Sequence, residues 1–114
     1  MIVTVFRSRL NPGAQEDYAP MAKRLGELAR SMPGYVSHKG FVAEDGERLT
    51  LVEFATEEGL KAWARQPDHV EGKRLGIQRF FSEYRVQICQ VIKDSATRAQ
   101  RPRGAEGRST TSPA

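Results

Sequence analysis

In 114 residues the chain has one cysteine, Cys89, two histidines, His38 and His69, and one tryptophan, Trp63. A single cysteine excludes a disulfide framework within the chain. Cys89 sits in an apolar, strand-like run, where a buried and inert thiol is expected. Neither histidine has a second His, Cys or carboxylate at a ligand spacing such as i+4, so no metal site is expected. No apolar run approaches the roughly 18 residues of a membrane span. The N-terminus opens on a strand pattern, not on a charged stretch followed by an apolar one. No secretory signal is read there, and a cytoplasmic protein is expected. No glycine-rich loop follows a strand. Gly72 and Gly76 fall in a helix-like run, the wrong context for a nucleotide phosphate.

Apolar residues are also sparse, at 39%. Much of the shortfall lies in the last stretch, where Ala, Arg, Ser, Thr, Gly and Pro dominate. Residues 94–114 are therefore read as a disordered basic tail, and residues 1–93 as the one folded domain. From Lys93 onward five basic residues face two acidic ones, so the tail region carries +3 of the total charge of +4. The basic balance belongs to the tail and is too thin for a phosphate-binding arm, so nucleic acid is not expected as a partner.

Within the domain, Ile2 to Arg9 is β-branched and aromatic and reads as a strand, closed by Asn11-Pro12-Gly13. Tyr18, Met21, Ala22, Leu25, Leu28, Ala29 and Met32 make one helical stripe, ended by Pro33-Gly34. Two strands, 35–43 and 48–55, flank the Asp45-Gly46 hairpin signal. Thr56 suits a helix N-cap before Glu57 and Glu58. A short helix then carries Leu60 and Trp63. A second segment from Pro67 carries Val70, Ile77, Phe80 and Phe81, and Arg85 to Ile92 closes the series as a strand. The order β-α-β-β-α-β predicts an α+β, ferredoxin-like fold: a four-stranded antiparallel sheet with its helices on one face. Both faces of the strands are apolar, with Ile2 and Phe6 opposite Val3 and Val5, and Leu49 and Leu51 opposite Val52 and Phe54. Helices cover only one face. A second copy is expected to cover the other, giving a homodimer closed into an α+β barrel.

Among candidate site residues, His69 is either an exposed or carbonyl-bonded residue of a helix's first turn or a proton acceptor or donor facing a pocket, a role histidine suits because it titrates near neutrality. His38 lies mid-strand near Gly40, where space above the sheet is expected, and it either lines a pocket there or simply packs. Trp63 with Phe54, Phe80, Phe81 and Tyr84 would line a flat apolar pocket for an aromatic ring. Arg79, Arg85, Glu53 and Tyr84 are candidates to orient a phenol or quinone oxygen.

The run LTLVEFATEEGLKAWARQPDH, followed by GKRLGIQRFFSEYRVQICQV, resembles the antibiotic biosynthesis monooxygenase family of dimeric α+β barrels. The opening strand, Asn11-Pro12-Gly13 and Met32-Pro33-Gly34-Tyr35 carry the same resemblance, which spans about residues 1–93. It implies one pocket per subunit between sheet and helices. It also implies an oxygenase without metal, flavin or haem, which deprotonates a small aromatic phenol, quinol or anthrone so that the anion reduces dioxygen directly. Trp63 resembles the family's helix-borne aromatic and His69 its frequent histidine just beyond, so these two are the catalytic candidates. His38, Phe54, Phe80, Tyr84 and Arg79 are the substrate-binding ones. A haem-binding or haem-degrading member is a lesser alternative. That branch places an asparagine on the first strand, where this chain has Phe6, Arg7 and Ser8, and spaces its tryptophan and histidine further apart. A non-catalytic dimeric module that binds a small ligand is the alternative from a different class.

Overall fold

A computed structural model describes residues 1–97; of the expected tail, residues 98–114 lie outside the described residues. The elements are β1 (Ile2–Leu10), α1 (Gln15–Arg30), β2 (Tyr35–Val42), β3 (Arg48–Phe54), α2 (Glu57–Ala64), α3 (Pro67–Leu75) and β4 (Phe81–Gln90), with a π-helical turn, Gly76–Phe80, between α3 and β4. The strands run β2-β3-β1-β4 across the sheet and every neighbouring pair is antiparallel. This is the ferredoxin-like α+β arrangement.

Local chemistry accounts for most boundaries. Gly34 takes φ +81° in the turn into β2, a conformation glycine adopts without strain. The 43–47 hairpin closes with the Ala43 N–H donating to Glu47 O at 2.8 Å and the Gly46 N–H to Ala43 O at 2.9 Å. Thr56 caps α2, its Oγ1 accepting from the Gly59 N–H at 3.1 Å.

Two expectations need correction. The sequence puts Phe80 and Phe81 on a helix and opens the last strand at Arg85; Phe80 does close the π-helical turn, but β4 begins at Phe81. Pairing with β1 captures these residues earlier. Phe81 lies opposite Leu10, across an irregularity at Arg9/Leu10, and the Asn11 N–H donates to Phe80 O at 2.7 Å. The helix widens into the π turn to make the change of direction. Cys89, expected to be buried, is exposed. It pairs with Val3 on the edge strand β4, on the face away from the helices, where nothing in the chain covers it.

The register sorts the strand side chains. Ile2, Thr4, Phe6 and Ser8 share a face with Val52 and Phe54 of β3 and with Tyr84, Val86 and Ile88 of β4. The helices pack on this face. Phe54 is wholly buried there with Trp63 and Ala29, ringed by Leu25, Leu28, Met32, Tyr35, Val52 and Leu60. Val3 and Val5, with Leu49 and Leu51, form the open face.

Candidate active site

The connection from β3 to β4 passes over β1, because β3 and β4 flank that strand. It consists of α2, α3 and the π turn, and it breaks between α2 and α3 at Arg65 and Gln66. Gln66 is extended, as a residue before proline prefers, and Pro67 opens α3 in a position that needs no N–H donor. The Gln66 side chain caps α3 by accepting from the His69 N–H at 2.8 Å. His69 is thereby fixed in the first turn of α3 and turned back toward the end of α2.

There its ring stacks on Trp63, with centroids 4.1 Å apart and planes 11° from parallel. Its Nδ1 lies 2.9 Å from the Trp63 carbonyl oxygen. A carbonyl only accepts, so Nδ1 carries the proton and donates. In the neutral ring the lone pair is then on Nε2, which makes no hydrogen bond among the described residues. Burial is the main influence on the His69 pKa and pushes it below the ordinary value of 6.5, with Lys73 adding to the fall and the Trp63 carbonyl opposing it. The ring is therefore neutral at pH 7. The six-residue spacing of Trp63 and His69 thus produces a half-buried base with its proton placed and its free nitrogen turned outward from that bond.

Across the sheet, β4 shows Tyr84, Val86 and Ile88 on the helix face, 49%, 48% and 56% exposed. An edge strand partners only one neighbour, and no helix lies over this one. Tyr84 stands beside an aromatic group, 6.4 Å from Phe6 and 6.3 Å from Phe81 by ring centroids. Tyr18 of α1 packs edge-on against Phe80 and Phe81 at 6.1 and 5.6 Å. The β4 strip is an uncovered apolar surface on the same side of the sheet as the Trp63–His69 pair.

The sequence candidates therefore separate. Trp63 and His69 are brought together, and Tyr84 borders the bare strip. Phe80 is buried against Tyr18, with the Arg79 guanidinium 6.0 Å from its ring. Phe54 has no exposed surface, so it backs Trp63 in the core and is not a contact for a ligand. His38 lies on β2, at the opposite edge of the sheet from Tyr84. Three strand spacings separate them, roughly 14 Å, so one small ring does not touch both. His38 is instead bonded through Nδ1 to the Tyr35 hydroxyl at 2.7 Å, and its Nε2 fits where Gly26 of α1 has no Cβ. Glu53 faces the other way, taking a hydrogen bond from the Ser37 hydroxyl.

Two residues escaped the sequence reading. Gln66 was legible, since a polar side chain just before an N-terminal proline is a capping position. Tyr35 was not. Three residues apart on a regular strand, Tyr35 and His38 would point to opposite faces, and an irregularity between Tyr35 and Ser37 returns them to one. Among the described residues, no three His, Cys, Asp or Glu side chains gather as a metal site, and no helix is long and apolar enough to cross a membrane.

The family profile described as antibiotic biosynthesis monooxygenase matches residues 1–75. No curated protein matches the chain. Solved structures share the fold at low identity. A protein from Deinococcus radiodurans, assigned to the antibiotic biosynthesis monooxygenases, is 6% identical with a TM-score of 0.77, over 87% of this chain and 100% of that one. SnoaB, a cofactor-independent oxygenase from Streptomyces nogalater, is 13% identical with a TM-score of 0.69, over 82% of this chain and 94% of that one. A Nitrosomonas europaea protein of the same assignment is 12% identical with a TM-score of 0.71, over 82% of this chain and 100% of that one. The profile match covers most of the described residues, and the sheet order agrees with the fold those structures share: this chain belongs to the antibiotic biosynthesis monooxygenase family.

Proposed function

We propose that the chain is a cofactor-independent monooxygenase for a small aromatic phenol or quinol. The single observation behind this reading is the His69 ring: neutral, half-buried, protonated on Nδ1, and stacked on Trp63 with Nε2 free. A general base for a phenol needs a lone pair at neutral pH and an apolar wall for the ring, and this pair supplies both. His69 Nε2 takes the phenolic proton. The phenolate, electron-rich at its ring carbon, reduces dioxygen directly. One oxygen atom bonds to that carbon, the other leaves as water, and the ring becomes the quinone. A naphthol and dioxygen thus give a naphthoquinone and water, with no external reductant. The Trp63 face and the apolar strip flank the anion, and taking up the proton is the task of His69. Kinship with a family that includes monooxygenases, and the fold shared with SnoaB, support the same reading.

The active form in this reading is a homodimer, since Val3, Val5, Leu49 and Leu51 make an apolar centre on a face that no helix covers.

Oxygen uptake by the purified, chelator-treated chain with a panel of quinols, anthrones and naphthols tests the activity. Uptake that depends on protein is expected, with His69→Ala slower by ~10²-fold. An unchanged rate in His69→Ala would remove the base from the mechanism. No uptake across the panel would leave a small-ligand-binding module.

A further inference from the structure

Thr4 occupies the middle of β1, opposite Val52 of β3 and Ile88 of β4. Val52 packs against the core group that contains Trp63, on which His69 stacks. Ile88 belongs to the bare strip. Thr4 therefore lies where the His69 side of the site meets the uncovered apolar surface. Its Oγ1 is buried and has no hydrogen-bond partner. β1 is paired on both sides, so the surrounding backbone groups are taken up by the two ladders. Hydroxyls buried in folded proteins nearly always find a partner. One that has none in the free chain, beside the uncovered β4 strip, is suited to a partner that arrives with the ligand. The residue as a whole is only partly buried, and a turn about χ1 between staggered wells exchanges its methyl and hydroxyl. An unbonded hydroxyl gives up no hydrogen bond in making that turn.

We propose that the Thr4 hydroxyl binds the oxygen of an aromatic ring seated between His69 and the β4 strip. This assignment rests on the proposed aromatic site beside His69 and does not depend on the oxygenation step. Thr4 discriminates an oxygen-bearing ring from a hydrocarbon of the same shape, a selection that the apolar walls alone do not make.

Calorimetric titration of the full chain with a naphthol and with the corresponding methylnaphthalene tests it. In Thr4→Val, naphthol binding is expected to weaken about tenfold while methylnaphthalene binding holds. Thr4→Ser should keep most of the naphthol affinity. Valine also removes a buried, unpaired hydroxyl at constant shape, so the melting temperature of Thr4→Val should rise by roughly 4 °C. Equal loss for both probes, no loss for naphthol, or a melting temperature that stays or falls would overturn the assignment. So would a native chain that does not bind naphthol. A chain that binds naphthol through Thr4 and consumes no oxygen keeps this inference and loses the monooxygenase reading.

Discussion

At the scale of single residues, the two histidines of this chain have been put to different uses by their neighbours. His69 donates through Nδ1 to the Trp63 carbonyl near the end of α2, which also accepts from the Gln66 N–H at 3.1 Å, and keeps Nε2 open. His38 shares its Nδ1 with Tyr35, and its ring occupies the space left by Gly26. Burial, the leading cause at both, lowers both pKa values below 6.5, with Arg30 adding to the effect at His38. The unfolded chain therefore takes up these protons first. Their contribution to stability is complete above pH 6.5 and declines as the pH falls through that value toward the lower folded-state pKa. Asp45, Glu47 and Glu71 are lowered from 3.8, 4.5 and 4.5, mainly by hydrogen bonds from Arg9, Arg7 and Arg74, so their losses begin further into acid. Thermal melts from neutral pH down to about pH 5 should show a falling melting temperature, and His69→Gln should flatten the slope. An identical slope in that variant would show that His69 is not buried in its neutral form. Turnover should fall over the same acid window, because protonated His69 has no lone pair to offer.

At the scale of elements, two glycines on the α3 side set how closely the crossover packs. A Cβ on Gly76 would lie 2.5 Å from Phe81 Cε2 and 3.0 Å from its Cδ2. That ring is held between Phe6 and Tyr18, at 5.3 and 5.6 Å, and has little room to move. A Cβ on Gly72 would meet Leu25 Cδ1 at 2.7 Å, the far end of a side chain that has other rotamers. Gly76→Ala should therefore cost about 1–3 kcal/mol in urea unfolding, and Gly72→Ala distinctly less. Equal costs would mean that the Phe81 ring yields as readily as a leucine methyl. The start of α3 is the other decisive junction. Gln66, Pro67 and the broken helix between α2 and α3 turn His69 back over Trp63; an unbroken helix would carry the histidine onward, away from it. The Arg24–Asp68 pair, 3.3 Å apart, ties that same turn to α1, though exposed pairs of this kind add little stability.

At the scale of the whole molecule, the sheet is two-sided and only one side is served by helices. The open face combines Val3, Val5, Leu49 and Leu51 with ion pairs toward its rim: Arg7 with Glu47 at 2.9 Å, and Arg9 with Asp45 at 2.7 Å and Glu83 at 2.8 Å. An apolar centre bordered by charge is the composition of an interface core and rim. Light scattering coupled to size exclusion should give a dimer at micromolar concentration. Leu51→Arg, a charge placed opposite Val5 at the centre of that face, should give a monomer with unchanged far-UV circular dichroism. A monomeric native chain would rule out the barrel. Buried on that face, Cys89 would also lose the exposure it has in one chain.

The sequence by itself determined the order of elements, because each signal was local: a β-branched run, a helical stripe ended by Pro33-Gly34, the Asp45-Gly46 turn, and Thr56 before two acidic residues. The resemblance to the family, not residue type or spacing, brought Trp63 and His69 forward together as site candidates. The tertiary structure decided what depended on partners far along the chain. Pairing with Leu10 moved Phe81 from helix to strand. The strand order placed His38 at the far edge from Tyr84, and burial withdrew Phe54 into the core. An irregularity of one residue joined Tyr35 to His38. The free nitrogen of His69 and the unpartnered hydroxyl of Thr4 also emerged only there. A hydrogen bond made or missed is a property of three-dimensional neighbours, and residue type and spacing do not record it.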